Sequence, residues 1–419
     1  MKTKSPRSRK LYKAMLMVII AGCFAAAGSV VVVSVRPAIG AWGADYLRGV
    51  IGPQATAQLE MTMFQIQDDI QKIKFALGLA TPAAPWQTAS AAPAATAIPT
   101  SHPPAQTATP ATPASKGAAA AAGLAAEQRK VDPPPTRTPT PTVWQPAPLA
   151  PMGTLQGEGV WTPYVQDANG HTLIYRTFLE PDPNRPFALV AVVAIDLRQT
   201  RLHFVLGYQE PYSPDGPKRS GAMPAADKAP GVLLAMFNGG FKAANGQYGA
   251  MADGVTALPP INGLGTLAIY KDGSVRLGVW GQDIQPGPNL VAWRQNGPLI
   301  VQNGKIDPKI YDNNPWEWGY TVKEVSPTWR SAMGISADGQ TLYYFAGPSL
   351  SMQALAKAIA DSGAYNAMQL DINNYWVLFV GVHTDGQKLV LDPLFKQMND
   401  NADRYLYPYS RDYFYVTVK

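Results

Sequence analysis

Between Thr81 and Pro151 the chain carries 16 of its 39 prolines, set among alanines and threonines. Proline fixes φ and removes a backbone donor, and a stretch this poor in apolar surface cannot offset the entropy of being ordered. Residues 81–151 therefore read as a disordered linker leaning towards polyproline II. The linker constrains everything else, because it separates a short N-terminal part from the residues beyond it. Those residues, 157–419, suffice for one large domain with its own core.

The net charge of +6 does not point to nucleic acid. Lys2, Lys4, Arg7, Arg9, Lys10 and Lys13 precede the first acidic residue, which leaves the remainder near neutral. This basic tail, 1–13, abuts Ala14–Val35, an uncharged run of 22 residues. Such a run is long enough to cross a hydrocarbon core of ~30 Å as a helix. The expectation is a single-pass signal anchor over 14–35, with the basic end cytoplasmic and the rest outside. Ile20-Ala21-Gly22-Cys23 also fits a bacterial lipobox, and ordinary signal cleavage is a third option. Cys23 is the only cysteine and the four histidines are scattered, so no cysteine or histidine metal motif exists, and neither metal nor cofactor is expected.

After Gly52-Pro53, the residues Leu59, Met63, Ile66, Ile70, Ile73 and Leu77 recur at alternating spacings of four and three. That is the a/d pattern of a short coiled coil, and it predicts a helix over 54–78 through which copies of the chain associate. The alternative is an amphipathic helix packed on the domain or lying on a membrane.

From Gly157 the texture changes to short apolar runs broken by Gly, Pro, Asn and Asp. Strands are predicted at Thr172–Phe178, Ala188–Ile195, Leu202–Leu206, Val232–Phe237, Leu267–Tyr270, Val275–Val279, Thr341–Phe345, Asn366–Leu370 and Trp376–Val380. One helix is clear, Ser351 to Ser362, with Gly363 as its stop. The fold class is α+β: a β-rich, mixed-sheet globular domain with few helices.

Three islands look chemical. Asn238-Gly239-Gly240-Phe241 ends an apolar run, where glycines let backbone N–H groups approach a cavity; Asn-Gly is also ordinary turn chemistry. Arg330 leads the small-residue strand Ser331-Ala332-Met333-Gly334, and its planar guanidinium suits a phosphate or carboxylate, or a structural ion pair. Asp371 ends the run Ala367-Met368-Gln369-Leu370.

In this order the islands resemble the phosphodiester glycosidase domain, the family of the lysosomal uncovering enzyme. The resemblance extends from about Pro186 to the C-terminus. It includes Gly263-Leu264-Gly265-Thr266-Leu267, Asp272-Gly273 and Asn296-Gly297-Pro298-Leu299-Ile300. It implies hydrolysis of a sugar-1-phosphodiester, with Asn238, Arg330 and Asp371 lining one pocket. Arg330 would face the phosphate, Asp371 would act as base or ion stabiliser, and Asn238 would position substrate. Gly239, Gly240 and Asn373 fall within the implied binding loops, Asp253 is a candidate second carboxylate, and Arg294 beside Trp293 a second cation.

The family's Gly-Gly-Gly-Ser after the aspartate is replaced here by Ile372-Asn373-Asn374-Tyr375. A rival reading is a non-hydrolytic carbohydrate- or envelope-binding domain on an oligomeric membrane tether. In either case the expected partner is a glycan, and the sequence places the domain outside the cell membrane.

Overall fold

Six consecutive residues, Val190 to Ile195, are apolar, which is how a strand buried on both faces reads. The side chains divide by parity. Val190, Val192 and Ala194 join one core cluster, and Ala191, Val193 and Ile195 join another. A computed structural model describes residues 37–80, 82, 84–86, 144–214, 216, 218–312 and 326–419. The basic tail, the uncharged run and most of the proline-rich stretch lie outside these residues.

The apolar run forms β3 (Val190–Asp196), inside an eight-stranded sheet of order β1-β2-β3-β14-β13-β15-β11-β12. Its other strands are β1 (Thr162–Gln166), β2 (Thr172–Leu179), β11 (Leu299–Gln302), β12 (Lys305–Ile306), β13 (Thr328–Ile335), β14 (Thr341–Leu350) and β15 (Asn366–Ile372). One helix packs on one face of this sheet. In α3 (Met352–Asp361) the Ser351 hydroxyl caps the N-terminus by accepting from the Ala354 N–H at 3.1 Å. It buries Met352, Leu355 and Ile359 against Val190, Val192 and Phe345.

The opposite face meets a five-stranded sheet of order β17-β16-β5-β18-β4. This comprises β4 (Thr200–Val205), β5 (Leu233–Asn238), β16 (Phe379–Asp385), β17 (Lys388–Pro393) and β18 (Tyr413–Val418). A third sheet has order β7-β6-β10-β8-β9, from β6 (Ala250–Ala252), β7 (Val255–Leu258), β8 (Gly265–Tyr270), β9 (Val275–Val279) and β10 (Leu290–Gln295).

The β-rich α+β class read from the sequence is what the described residues show. Their strand pairings are antiparallel throughout rather than mixed. The crossover through α3 still makes β14 and β15 parallel, but β13 lies between them. The strand expected at Trp376–Val380 starts at Phe379, because Asn373 turns the chain at φ 83°.

Folded structure also begins upstream of Gly157. Trp144 stands edge-on to Tyr175, and the Trp161 indole donates to the Ala147 carbonyl at 2.8 Å. The Met152 and Gly153 N–H groups donate to Glu158, and those of Thr154 and Leu155 donate to Glu180. Both carboxylates are buried, so they need these donors. At the other end of the proline-rich stretch, Trp86 stacks edge-on to Phe178 and lies under Arg176.

The predicted helix over 54–78 is α2 (Pro53–Ala76), joined to α1 (Pro37–Ile51) at Gly52, φ 85°. Proline at the first helical position costs no hydrogen bond there. α2 lies on the domain, which is the alternative the sequence left open. Its contacts are made by Met61, Phe64, Asp68 and Phe75. Leu59, Ile66, Ile70, Ile73 and Leu77 are exposed. Among the described residues no helix is long and apolar enough to cross a membrane.

Candidate active site

Antiparallel registers bring four chain segments to one edge of the eight-stranded sheet and of the five-stranded sheet that contains β5. Arg330 pairs with Ile372, so β13 begins where β15 ends. Asn238 pairs with Tyr413, so the end of β5 lies beside the start of β18 and the preceding Arg411-Asp412. Asp371 is buried there. Its Oδ1 accepts from the Ile372 N–H at 2.8 Å, and its other oxygen forms an ion pair with Arg411.

Arg411 is buried as well. Its guanidinium donates to the Gly240 carbonyl at 2.9 Å and lies 4.3 Å from the centre of the Trp376 ring. Lys242 Nζ sits 4.9 Å from the same ring. Phe241, Lys242, Asp371, Asn373, Trp376 and Arg411 line one cavity on the domain side. Ala44, Arg48, Glu60 and Phe64 close it from α1 and α2. There Lys242 meets Asp45 Oδ2 at 2.5 Å, and Arg48 holds Glu60 at 2.8 Å.

Burial raises the pKa of Asp371 above the usual carboxylate value, against the opposing pull of Arg411. Burial also opposes the charge of Arg411, but Asp371 and Asp412 outweigh it and hold the guanidinium above its ordinary value. Burial likewise raises Glu60 despite Arg48. The site therefore holds a buried carboxyl of raised pKa next to cations and an indole face. Among the described residues no three His, Cys, Asp or Glu side chains group as metal ligands would.

A fully buried ion pair supports this cavity. Arg294 Nε donates to Asp412 Oδ2 at 2.9 Å, and its remaining nitrogens donate to the Phe241, Tyr248 and Gln295 carbonyls. Asp412 Oδ2 also accepts from the Gly240 N–H at 3.0 Å, while the Asp412 carbonyl accepts from the Gly239 N–H. Asn296 Oδ1 accepts from the Phe241 N–H, and its amide donates to the Gln369 carbonyl.

The sequence-derived residues thus separate. Asp371 and Asn373 line the cavity; Asn238, Gly239, Gly240, Arg294 and Arg330 do not. The Asn238 amide donates to Ser331 Oγ and the Gly239 carbonyl, and its oxygen accepts from the Tyr344 hydroxyl and the Leu378 N–H. It clamps strands and has no capacity left for a substrate. The two glycines serve close packing: a Cβ on Gly239 would lie 2.0 Å from Asp412 Oδ2, and one on Gly240 2.7 Å from Asn296 Oδ1.

Arg330 points elsewhere. Strand alternation gives the Asp371 side to Ser331, whose hydroxyl donates to the Asp371 carbonyl at 2.7 Å. The Arg330 guanidinium donates to the Leu350 and Ser326 carbonyls. Asp253 is exposed in the β6–β7 turn at φ 52°, and Trp293 packs against Trp280. The residues that sequence reasoning missed are Arg411, Asp412 and Lys242. A signal for them existed: Arg411-Asp412 directly precede an apolar strand, mirroring Asp371 at the end of one, and Lys242 follows the glycine island.

Residues 232–371 match the family model of phosphodiester glycosidases, the family that the ordered islands resemble. No curated protein matches the chain. Among solved structures, one similar chain is the catalytic domain of zebrafish N-acetylglucosamine-1-phosphodiester α-N-acetylglucosaminidase, auto-inhibited by pro-peptide. The identity is 14%, the TM-score 0.36, and the match covers 65% of this chain and 87% of that one. A hypothetical protein from Synechocystis is similar at 12% identity and TM-score 0.34, over 62% of this chain and 64% of that one. The matched family segment ends at Asp371, so Arg411 and Asp412 lie beyond it.

Proposed function

We propose that this domain hydrolyses a sugar-1-phosphodiester, with Asp371 as the acid–base carboxyl and Arg411 and Lys242 as the cations facing the phosphate. The observation that carries the reading is Asp371 itself. It is a buried carboxyl of raised pKa, inside the matched family segment, in one cavity with Arg411, Lys242 and an indole. In the reaction, water attacks the anomeric carbon as its bond to the phosphate oxygen breaks. The phosphate monoester leaves with the electron pair, and Asp371 takes the proton from water. A phosphate monoester is a weak base, so charge stabilisation by Arg411 and Lys242 matters more than protonation of the leaving group. Arg411 takes the role that the family resemblance suggested for Arg330.

The cavity encloses about 30 Å³, against the roughly 300–1,000 Å³ typical of ligand sites. In this reading substrate enters as α1 and α2 draw back from the domain, which breaks the Lys242–Asp45 contact. The reading also holds the domain outside the cell membrane, with residues 14–35 as a single-pass anchor and the N-terminus cytoplasmic. Six positive charges ahead of an uncharged run support that topology. Cell-envelope or exopolysaccharide material is then the substrate class.

Incubating the full-length protein with UDP-N-acetylglucosamine or an N-acetylglucosamine-phospho-sugar should release free sugar. Asp371→Asn should lower kcat by about 10²–10⁴-fold without abolishing binding. Absence of turnover by the wild type, with equal binding by both proteins, would overturn the hydrolase in favour of a carbohydrate-binding domain.

A further inference from the structure

α2 has two opposed faces, and the domain accounts for only one of them. Met61, Asp68 and Phe75 recur at intervals of one heptad and face the domain. Met61 packs on the Phe241–Tyr248–Ile372 cluster, Asp68 pairs with Arg185 at 3.0 Å, and the Phe75 ring lies 5.9 Å from that of Phe187. At 100° per residue, Leu59, Met63, Ile66, Ile70, Ile73 and Leu77 fall on the other side as one narrow stripe. Five of the six are strongly exposed, from 38% at Ile70 to 66% at Leu77. A helix packed on its own domain is expected to carry polar residues on its outer face. This one carries a coiled-coil seam.

We propose that α2 associates, parallel and in register, with α2 of at least one further copy of this chain through that stripe. The seam leaves Leu59, Ile66 and Ile73 at one repeating position and Met63, Ile70 and Leu77 at the other, the knobs-into-holes arrangement. In a parallel, in-register pairing the flanking Asp69 of each chain faces Lys74 of the other, which gives two attractive pairs. Asp69 is exposed and its own-chain contacts are Gln65 and Lys72, both on its own helix. In the reverse orientation Lys74 would face Glu60, which Arg48 already holds. Covering six such side chains on each helix removes on the order of 1,000 Å² in total, the threshold for a specific interface. The domain-facing residues stay where they are, so association leaves the cavity wall at Phe64 intact. The inference does not depend on the catalytic reading.

The test uses full-length protein carrying Cys23→Ser and one introduced cysteine. Under mild oxidation, Ile66→Cys and Ile73→Cys should each give a covalent dimer, and Gln58→Cys, exposed but off the seam, should give several-fold less. Sedimentation should show an oligomer that the Ile66→Lys, Ile73→Lys double variant loses while its far-UV circular dichroism is unchanged. Equal cross-linking at Gln58→Cys, a monomeric wild type, or an oligomer that survives the double variant would each overturn the proposal.

Discussion

Replacing Arg411 with alanine strands Asp371. The carboxylate keeps its burial and its single N–H donor from Ile372 but loses the cation beside it. Removing one partner of a buried ion pair destabilises by about 3–5 kcal/mol, because the survivor is left uncompensated. The size of the effect depends on pH in a direction that follows from Asp371. Its folded pKa is already raised by burial, so the folded state binds this proton more tightly than the unfolded chain does. The contribution to stability is complete below the unfolded value, near 3.9. It is lost as pH rises through the folded value. Arg411 holds that folded value down; without it the loss is larger and extends to higher pH. At acid pH the variant should retain only the cost of the Gly240 carbonyl and the indole contact, about 1–3 kcal/mol. Urea unfolding of wild type and Arg411→Ala near neutrality and near pH 4 measures both numbers. Asp371→Asn in the Arg411→Ala background should recover much of the neutral-pH loss. An identical penalty at both pH values, or no recovery in the double variant, would refute the account of Asp371 as a carboxylate stabilised by Arg411.

Gly240→Ala should cost about 1–3 kcal/mol through overpacking against Asn296 and Arg294, read as a lowered Tm. Asn373 holds φ 83° at the cavity, so Asn373→Gly should shift Tm only slightly, relief of backbone strain being offset by the lost Tyr375 cap and the added chain entropy. Asn373→Val should lose about 1–3 kcal/mol to backbone strain. Asp45→Asn breaks a half-exposed ion pair with Lys242 and should change stability by no more than about 1 kcal/mol. If Lys242 faces the phosphate, the same substitution lowers KM for a diester; an unchanged KM removes Lys242 from that role.

Much of the frame was legible because its signals are local. The run at β3, the helix near Ser351 with its stop at Gly363, and the heptad spacing of α2 each follow from periodicity or turn chemistry within a few residues. Asp371 was legible as a carboxylate ending an apolar strand. What stayed hidden depends on contacts distant in sequence. Nothing near Asp412 shows that Arg294, 118 residues earlier, will reach its carboxylate. Nothing local to Arg330 shows that its neighbour Ser331 takes the Asp371 side, since a shift of one residue exchanges the faces of a strand. The docking of α2 on the domain stayed an open alternative in the sequence, because Met61, Asp68 and Phe75 make a weaker pattern than the seam opposite them.

This division explains why the recognisable motif and the cavity only partly coincide. Asn238, Gly239 and Gly240 are held by side-chain and backbone partners with little tolerance for change: Ser331, Tyr344, Asp412 and Asn296. They fix the direction in which Phe241 and Lys242 leave the strand. The residues that line the cavity, Lys242, Asp371 and Arg411 among them, stand at the edges of the motif or beyond it. The turn after Asp371 obeys the same logic. A residue at φ 83° favours glycine, and asparagine is among the few side chains that tolerate that region. Asn373 can therefore hold the left-handed backbone that this turn needs. It also adds an amide, which caps the Tyr375 N–H at 3.1 Å and orders the loop carrying Trp376. The side chain of Asn373 thus serves the backbone of the turn while it also lines the cavity beside Asp371.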